Sequence, residues 1–116
     1  YGPMVDTCLE AAKEASQEGR KLEVIDVRSL SPLDMATVYE SVRRTTRAIV
    51  VQEAPRTQGV GAEIAARLGE ELYYVMEAPV LRVTGWSTPY PPAKAEGEHI
   101  PDVDRILDAV DRSLAF

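Results

Sequence analysis

Histidine and cysteine, which often carry catalysis and bind metals, are nearly missing from this sequence. One of each occurs among its 116 residues, His99 and Cys8. A single cysteine excludes an internal disulfide and is compatible with a reducing compartment. A single histidine excludes a multi-histidine metal site, and His99 lies in a proline-rich stretch that does not favour a Ser/His/Asp triad. Cys8 falls on the apolar stripe of a helix pattern, which predicts a packing role.

Long apolar runs, a signal peptide and low-complexity segments are also missing, so no membrane span is predicted. Basic residues are in the minority, with 13 Lys and Arg against 19 Asp and Glu and a net charge of −6. This balance argues against a nucleic-acid partner and suits a basic protein partner. With 45% hydrophobic residues, a chain of this length predicts one domain, residues 1–116, around one core.

Helix patterns alternate with strand patterns along the chain. Apolar spacing predicts helices at residues 3–18, at 32–45 with Ser31 as the N-cap, from near Ala62 to Leu72, and from Pro101 to the end. Strands are predicted at residues 22–27, 47–53 and 79–85, and an irregular loop at 86–100. Gly69 inside the third helix indicates a close neighbouring backbone. The pattern is typical of a three-layer α/β/α sandwich with a mainly parallel sheet.

The stretch from Arg47 to Leu72 joins a strand to a helix through a glycine turn, which is where ligands usually meet an open α/β sheet. Its GVGAEI segment is not a dinucleotide fingerprint, because Ile64 stands where the third glycine should be and the next strand has no acidic residue. The chain also has no P-loop lysine and no CxxC. Glu53 is the best single acid at the strand end, and we expect it to accept hydrogen bonds from loop or helix amides.

Five motifs in order carry a family resemblance: YGPMV, EVIDVRSLSPLD, IVVQEAPRTQGVGAEIA, APVLRVTGWSTPYP and IPDVDRIL. They resemble the C-terminal, transketolase C-terminal-like domain of β subunits of thiamine-diphosphate-dependent 2-oxo acid dehydrogenases. The resemblance covers essentially the whole chain. EAPRTQG and TGWSTPYP are more similar to branched-chain 2-oxo acid dehydrogenases than to pyruvate dehydrogenases.

The resemblance implies an oxidoreductase component, an α2β2 assembly that decarboxylates a 2-oxo acid and acylates a lipoyl group on an acyltransferase. Thiamine diphosphate and magnesium would lie between the α subunit and the N-terminal domain of β. The C-terminal domain would serve in subunit association and in docking the lipoyl acyltransferase binding domain. We therefore expect no catalytic, cofactor-binding or metal-binding residue in this chain. The expected location is the bacterial cytoplasm, or the mitochondrial matrix of a eukaryote.

Two departures from the family pattern matter. Many relatives carry histidine where this chain has Gln52, so no proton-transfer role is expected there. The family domain also has strands before YGPMV, including a central one. A strand that this chain lacks should therefore separate residues 22–27 from residues 49–52. We expect upstream polypeptide of a longer parent protein, or a neighbouring molecule, to fill that gap.

The interface candidates lie in three places: the glycine turn, the aromatic loop and the acidic face of the last helix with the terminal carboxylate. They are Arg56, Gly59, Gly61, Trp86, Tyr90, Asp104, Asp108, Asp111 and Phe116. The acidic face would suit a basic binding domain of the acyltransferase. A solvated helix surface explains the same charge pattern equally well.

Three alternatives stay open at this point. The chain could be the corresponding domain of a pyruvate dehydrogenase β subunit. It could belong to a transketolase or 1-deoxyxylulose-5-phosphate synthase, in which the cofactor-binding domain lies on the same chain. It could also be a small regulatory domain that binds an anion at GVGAEI.

Overall fold

The structure is a computed structural model that describes all 116 residues. Its regular elements are α1 (Met4–Gln17), α2 (Met35–Thr45), β1 (Ile49–Pro55), α3 (Val60–Leu72), β2 (Leu81–Gly85), a 3-10 turn (Ala93–Ala95), α4 (Glu96–His99) and α5 (Val103–Leu114). β1 and β2 form a two-stranded parallel sheet in which Ile49 is opposite Leu81. No helix is long and apolar enough to cross a membrane.

Helices cover both faces of β1, which confirms the α/β class. Because side chains alternate along a strand, Val50 packs towards α2 and α3, whereas Ile49 and Val51 pack towards α1 and α5. The first core cluster consists of Met35, Val38, Val42, Ile64, Leu68 and Leu72. The second consists of Ala11, Val83, Ile106 and Ala109.

The start of α2 differs from the prediction. Asp34 is the N-cap, and its carboxylate accepts a hydrogen bond from Thr37 N at 3.2 Å. Hydrogen bonds from the Thr37 side chain and main chain lower the pKa of the Asp34 carboxyl. Ser31 as the cap was wrong, because Leu30 and Leu33 pair across the turn that contains Ser31 and Pro32 and keep both outside the helix.

Residues 22–27 form no strand, and this prediction was wrong. They do not pair with β1, as expected, and the sheet therefore has two strands where the pattern predicted three. The physical reason is that an apolar groove separates this segment from the nearest edge of β1, so its main chain has no sheet partner. A segment rich in β-branched residues forms a strand only when a neighbouring strand pairs with it.

Smaller differences concern element ends and one glycine. β2 begins at Leu81, α3 begins at Val60, and the stretch predicted to be irregular contains the 3-10 turn and α4. Gly69 is exposed, and a Cβ there would meet nothing within 4 Å. The expectation of a close backbone beside Gly69 was wrong, because its helix face is open to solvent.

Candidate association surface at the carboxyl end of the sheet

Gln52 organises the carboxyl end of β1. Its side chain is fully buried, with 0% exposed. The amide oxygen accepts hydrogen bonds from Gly61 N at 2.7 Å and from Tyr1 Oη at 3.3 Å. The amide nitrogen donates to the carbonyl of Pro55 at 2.9 Å and more weakly to that of Ala54 at 3.3 Å. One neutral side chain therefore joins the strand end, the turn and the N-terminus of α3.

The two glycines of the turn make room for this side chain. A Cβ at Gly61 would lie 2.5 Å from the Gln52 amide oxygen and 2.9 Å from Val50 Cγ1. A Cβ at Gly59 would overlap the Gln52 amide nitrogen. Close approach within the chain explains both glycines. The sequence pattern predicts that Glu53 accepts hydrogen bonds from loop or helix amides. In the structure Gln52 accepts from the Gly61 amide, and no main-chain amide donates to the Glu53 side chain.

The loop after β2 presents two exposed aromatic residues on a fixed framework. Trp86 is 55% exposed and Tyr90 is 58% exposed. Trp86 Nε1 donates to Glu98 O at 2.9 Å, and the Arg105 guanidinium stacks 4.6 Å from the centroid of the indole. The Tyr90 hydroxyl donates to the Glu96 carboxylate, and this hydrogen bond raises the pKa of Tyr90 to about 12. Both rings are held in place while more than half of each residue stays exposed.

Arg105 ties three segments together at this end of the sheet. Besides contacting Trp86, its guanidinium donates to the carbonyl of Thr84 at the end of β2. A longer hydrogen bond of 3.5 Å reaches His99 O in α4. Because these acceptors belong to β2 and α4, the single cation links the start of α5 to both elements. The aromatic loop and the last helix therefore form one continuous surface.

His99 lies beneath this surface and cannot act as an accessible base. It is 3% exposed, its ring packs edge-on against Tyr90 at 5.0 Å, and its Nε2 has no hydrogen-bond partner. A Cβ at Gly85 would come within 2.8 Å of that nitrogen. No group of three or more His, Cys, Asp and Glu side chains could hold a metal ion. The geometry supports contact and packing at this site.

Charged residues line a cleft between β2 and α5. It has a volume of about 360 Å³, and its walls include Arg56, Arg82, Asp102, Asp104, Arg105, Asp108 and Arg112. Arg56 and Arg82 each donate to the other's carbonyl, at 3.3 Å and 3.0 Å. This exchange fixes the glycine turn against the edge of β2. The cleft carries both signs of charge and is not a purely acidic surface.

The acidic face of α5 is partly neutralised within the chain. Asp108 lies 3.7 Å from Arg112, and Asp111 forms an ion pair with Arg20. Asp104 has no ion-pair partner. Phe116 is 70% exposed at the end of the same helix. The structure thus places eight of the nine interface candidates at accessible or half-buried positions, whereas Gly61 is buried beneath Gln52.

Comparison with known proteins assigns the family. Residues 1–106 match the family described as "Transketolase, C-terminal domain". The chain belongs to this family. The match covers the two-stranded sheet and every helix before α5.

This transketolase C-terminal domain is similar over its whole length to β subunits of dehydrogenases. It is 57% identical to pyruvate dehydrogenase E1 component subunit beta of Leifsonia xyli, over 100% of this chain and 34% of that protein. It is 51% identical to 3-methyl-2-oxobutanoate dehydrogenase subunit beta of Mycobacterium tuberculosis, over 98% of this chain and 33% of that protein. A pyruvate dehydrogenase β subunit of Staphylococcus epidermidis is 43% identical. The chain spans about a third of the length of these relatives.

Sequence reasoning missed the two residues that organise the surface of this transketolase C-terminal domain. The sequence does contain a pattern that indicates the role of Gln52. A polar amide ends an apolar strand, two glycines follow it, and this combination fits a side chain that folds back onto a helix N-terminus. No sequence pattern indicates the role of Arg105. Its acceptors, Thr84 O and His99 O, belong to elements whose proximity depends on the tertiary fold.

Proposed function

We propose that this chain is the C-terminal domain of the β subunit of the decarboxylase component of a branched-chain 2-oxo acid dehydrogenase. The parent complex oxidatively decarboxylates a 2-oxo acid and acylates a lipoyl group. The domain serves in association with an α subunit and a second β subunit, and in docking the acyltransferase. Similarity over the whole chain to two named dehydrogenase β subunits carries this proposal. The half-buried single cysteine and the bacterial relatives are in keeping with a bacterial cytoplasm.

The geometry of the aromatic loop supports an association role. Trp86 and Tyr90 are large and exposed, and hydrogen bonds and the Arg105 stack hold them in place. Aromatic side chains in fixed positions are the usual energetic centres of protein interfaces, because little side-chain entropy remains to be lost on binding. Both residues are therefore proposed as anchors for a neighbouring subunit.

Thiamine diphosphate and magnesium belong to the parent assembly in this proposal, outside this chain. The residues here do not fit that group. No acidic or histidine cluster could hold the metal ion. At the N-terminus of α3, where a diphosphate would be expected, the Gln52 amide oxygen already accepts from Gly61 N. The same contact removes the support for a regulatory anion site at GVGAEI.

Substrate preference of the parent assembly tests the branched-chain assignment. EAPRTQG and TGWSTPYP support a branched-chain 2-oxo acid, such as the 3-methyl-2-oxobutanoate in the name of the Mycobacterium tuberculosis relative. The 57% identity to a pyruvate dehydrogenase subunit makes pyruvate the second candidate. We expect kcat/KM for the branched substrate to exceed that for pyruvate by about tenfold or more, since a pocket built for extra methyl groups gains that much from filling it. Steady-state assays of the assembled complex measure the ratio. The opposite preference would assign the parent to pyruvate dehydrogenase.

Charge reversal on α5 tests the docking role. In the parent assembly, we expect the double substitution Asp104→Lys and Asp108→Lys to weaken binding of the acyltransferase binding domain by about tenfold or more, because it replaces attraction by repulsion at a charged interface. Calorimetric titration at two salt concentrations measures the affinity. The loss should shrink at high salt, where surface charges are screened.

The matched control lies on α3, on the other side of the sheet. Glu63→Lys with Glu70→Lys makes the same change in net charge and also breaks one ion pair within a helix, Glu63 with Arg67. This control should leave affinity unchanged. Equal affinity for the α5 variant and the unmodified assembly would remove the docking role, while the substrate assay would still stand.

A further inference from the structure

The arginines that form no ion pair converge in one place. Seven of the ten arginines have a nitrogen within 4.0 Å of a carboxylate oxygen in this chain. The other three are Arg56, Arg82 and Arg105, and all of them line the cleft between β2 and α5. We call this space the β2–α5 cleft. Since the chain has a net charge of −6, arginines without a carboxylate at one cleft indicate a site for an external oxyanion.

The β2 wall of the β2–α5 cleft offers hydrogen-bond donors. Leu81 N donates to Ala48 O at 3.2 Å, so the polar main-chain groups of Leu81 face β1. Because this direction alternates along a parallel strand, the N–H and C=O of Arg82 face away from β1. Arg56 donates one N–H to that carbonyl at 3.3 Å, and four guanidinium donors remain. The two-stranded sheet gives the Arg82 N–H no acceptor. A guanidinium and a main-chain N–H, both at the main chain of Arg82, suit a carboxylate.

The α5 wall of the β2–α5 cleft carries the opposite charge. Asp104 and Asp108 are both exposed and lie about one helical turn apart. Asp104 has no ion-pair partner, and Asp108 reaches only Arg112, at 3.7 Å. Neither carboxylate lies within 4.0 Å of the Arg56 or Arg82 guanidinium. The two walls therefore present opposite charges that no group of this chain bridges.

Apolar side chains lie between the two charged walls. They are Leu81 and Val83 of β2 and Ala109 of α5. Val83 and Ala109 belong to the second core cluster and hold a fixed position. An apolar part of a ligand would pack against these three side chains. The cleft volume of about 360 Å³ lies at the lower end of the range for small-molecule sites.

We propose that the β2–α5 cleft binds a free α-amino acid with an apolar side chain. The carboxylate of the ligand accepts hydrogen bonds from the Arg56 guanidinium and the Arg82 N–H, and its ammonium lies at Asp104 and Asp108. The α5 carboxylates repel a simple anion and the β2 arginines repel a simple cation, so a ligand with both charges is selected. The inference goes beyond the proposed function, because it adds a small-molecule ligand and holds whichever 2-oxo acid the parent uses.

Matched ligands test the charge requirement. Equilibrium dialysis of the parent assembly, without the acyltransferase, measures binding of radiolabelled leucine. Two competitors share its carbon skeleton: 4-methylpentanoate lacks the ammonium group, and 3-methylbutylamine lacks the carboxylate. Each should displace leucine at least about tenfold more weakly than unlabelled leucine does, because each loses one charge-assisted contact. Equal displacement by either competitor, or no saturable leucine binding below about 10 mM, would overturn the inference.

A substitution on the β2 wall locates the site within the assembly. Arg56→Gln should weaken leucine binding by about tenfold, towards the affinity that 3-methylbutylamine has for the unmodified protein, because it removes the carboxylate contact. Arg67→Gln is the matched control, since Arg67 lies on α3 and outside the cleft, and it should leave the affinity unchanged. Full leucine affinity in Arg56→Gln would overturn the inference. If Arg56→Gln does not fold, the competition series on unmodified protein decides the result.

Discussion

Gln52→Met is expected to lower the free energy of unfolding by about 3 kcal/mol, because each buried polar group that loses its partner costs about 1–3 kcal/mol. Methionine keeps the length and unbranched shape of the side chain and removes its hydrogen-bonding groups. The buried Gly61 N–H then has no acceptor, and the Pro55 carbonyl loses its donor. Urea unfolding followed by circular dichroism measures the change.

Gln17→Met is the control for this substitution. Gln17 is exposed at the end of α1, so its replacement should change stability by less than about 0.5 kcal/mol. A loss below about 1 kcal/mol for Gln52→Met would mean that water replaces the amide at little cost. Gln52 would then not be the residue that holds the turn.

Gly85→Ala is expected to destabilise the chain by about 3 kcal/mol, at the upper end of the cost of inserting one methyl group into a packed interior. Gly85 is buried at the end of β2. Its new Cβ would overlap the carbonyl oxygen of Glu53 and lie 2.8 Å from His99 Nε2. The main-chain carbonyl belongs to the neighbouring strand and cannot rotate away as a side chain can. The strands would have to separate locally.

The same substitution at Gly69 is the control, with the opposite sign expected. Nothing lies within 4 Å of a Cβ at Gly69, which is inside α3. Gly69→Ala should therefore stabilise the chain by about 1 kcal/mol through helix propensity alone. Thermal unfolding of both variants measures the difference. A Gly85→Ala chain as stable as the unmodified one would show that the strand ends adjust freely.

Sequence patterns located the elements whose signal is local. Apolar stripes predict α1, α3 and α5 together with the face that each helix buries. A run of β-branched residues predicts β1. The same reasoning failed at residues 22–27 because strand formation needs a partner, and the partner edge lies across a groove. It failed at Ser31 because two leucines pair across the turn, a contact that competes with helix capping.

The candidate surface was only partly predictable for a similar reason. Residue type alone predicts contact roles for Trp86 and Tyr90, two large aromatic residues in a proline-rich loop, and both are exposed. The sequence predicts an acidic face on α5 but not the cations that lie beside it. In the structure, Asp108 lies near Arg112 of the same helix, and Asp111 pairs with Arg20, which is far away in the sequence. Charge neutralisation by distant residues depends on tertiary contacts and cannot be read from a helix alone.

The open edge of β1 also bears on solubility. Natural sheet edges avoid pairing with foreign chains through lysine, proline or a bulge. Residues 49–52 contain no lysine and no proline, and the only irregularity in the strand lies after Gln52. An apolar strand with free main-chain groups is a template for aggregation. Any element that covers this edge would therefore also protect the protein from misassembly with its own copies.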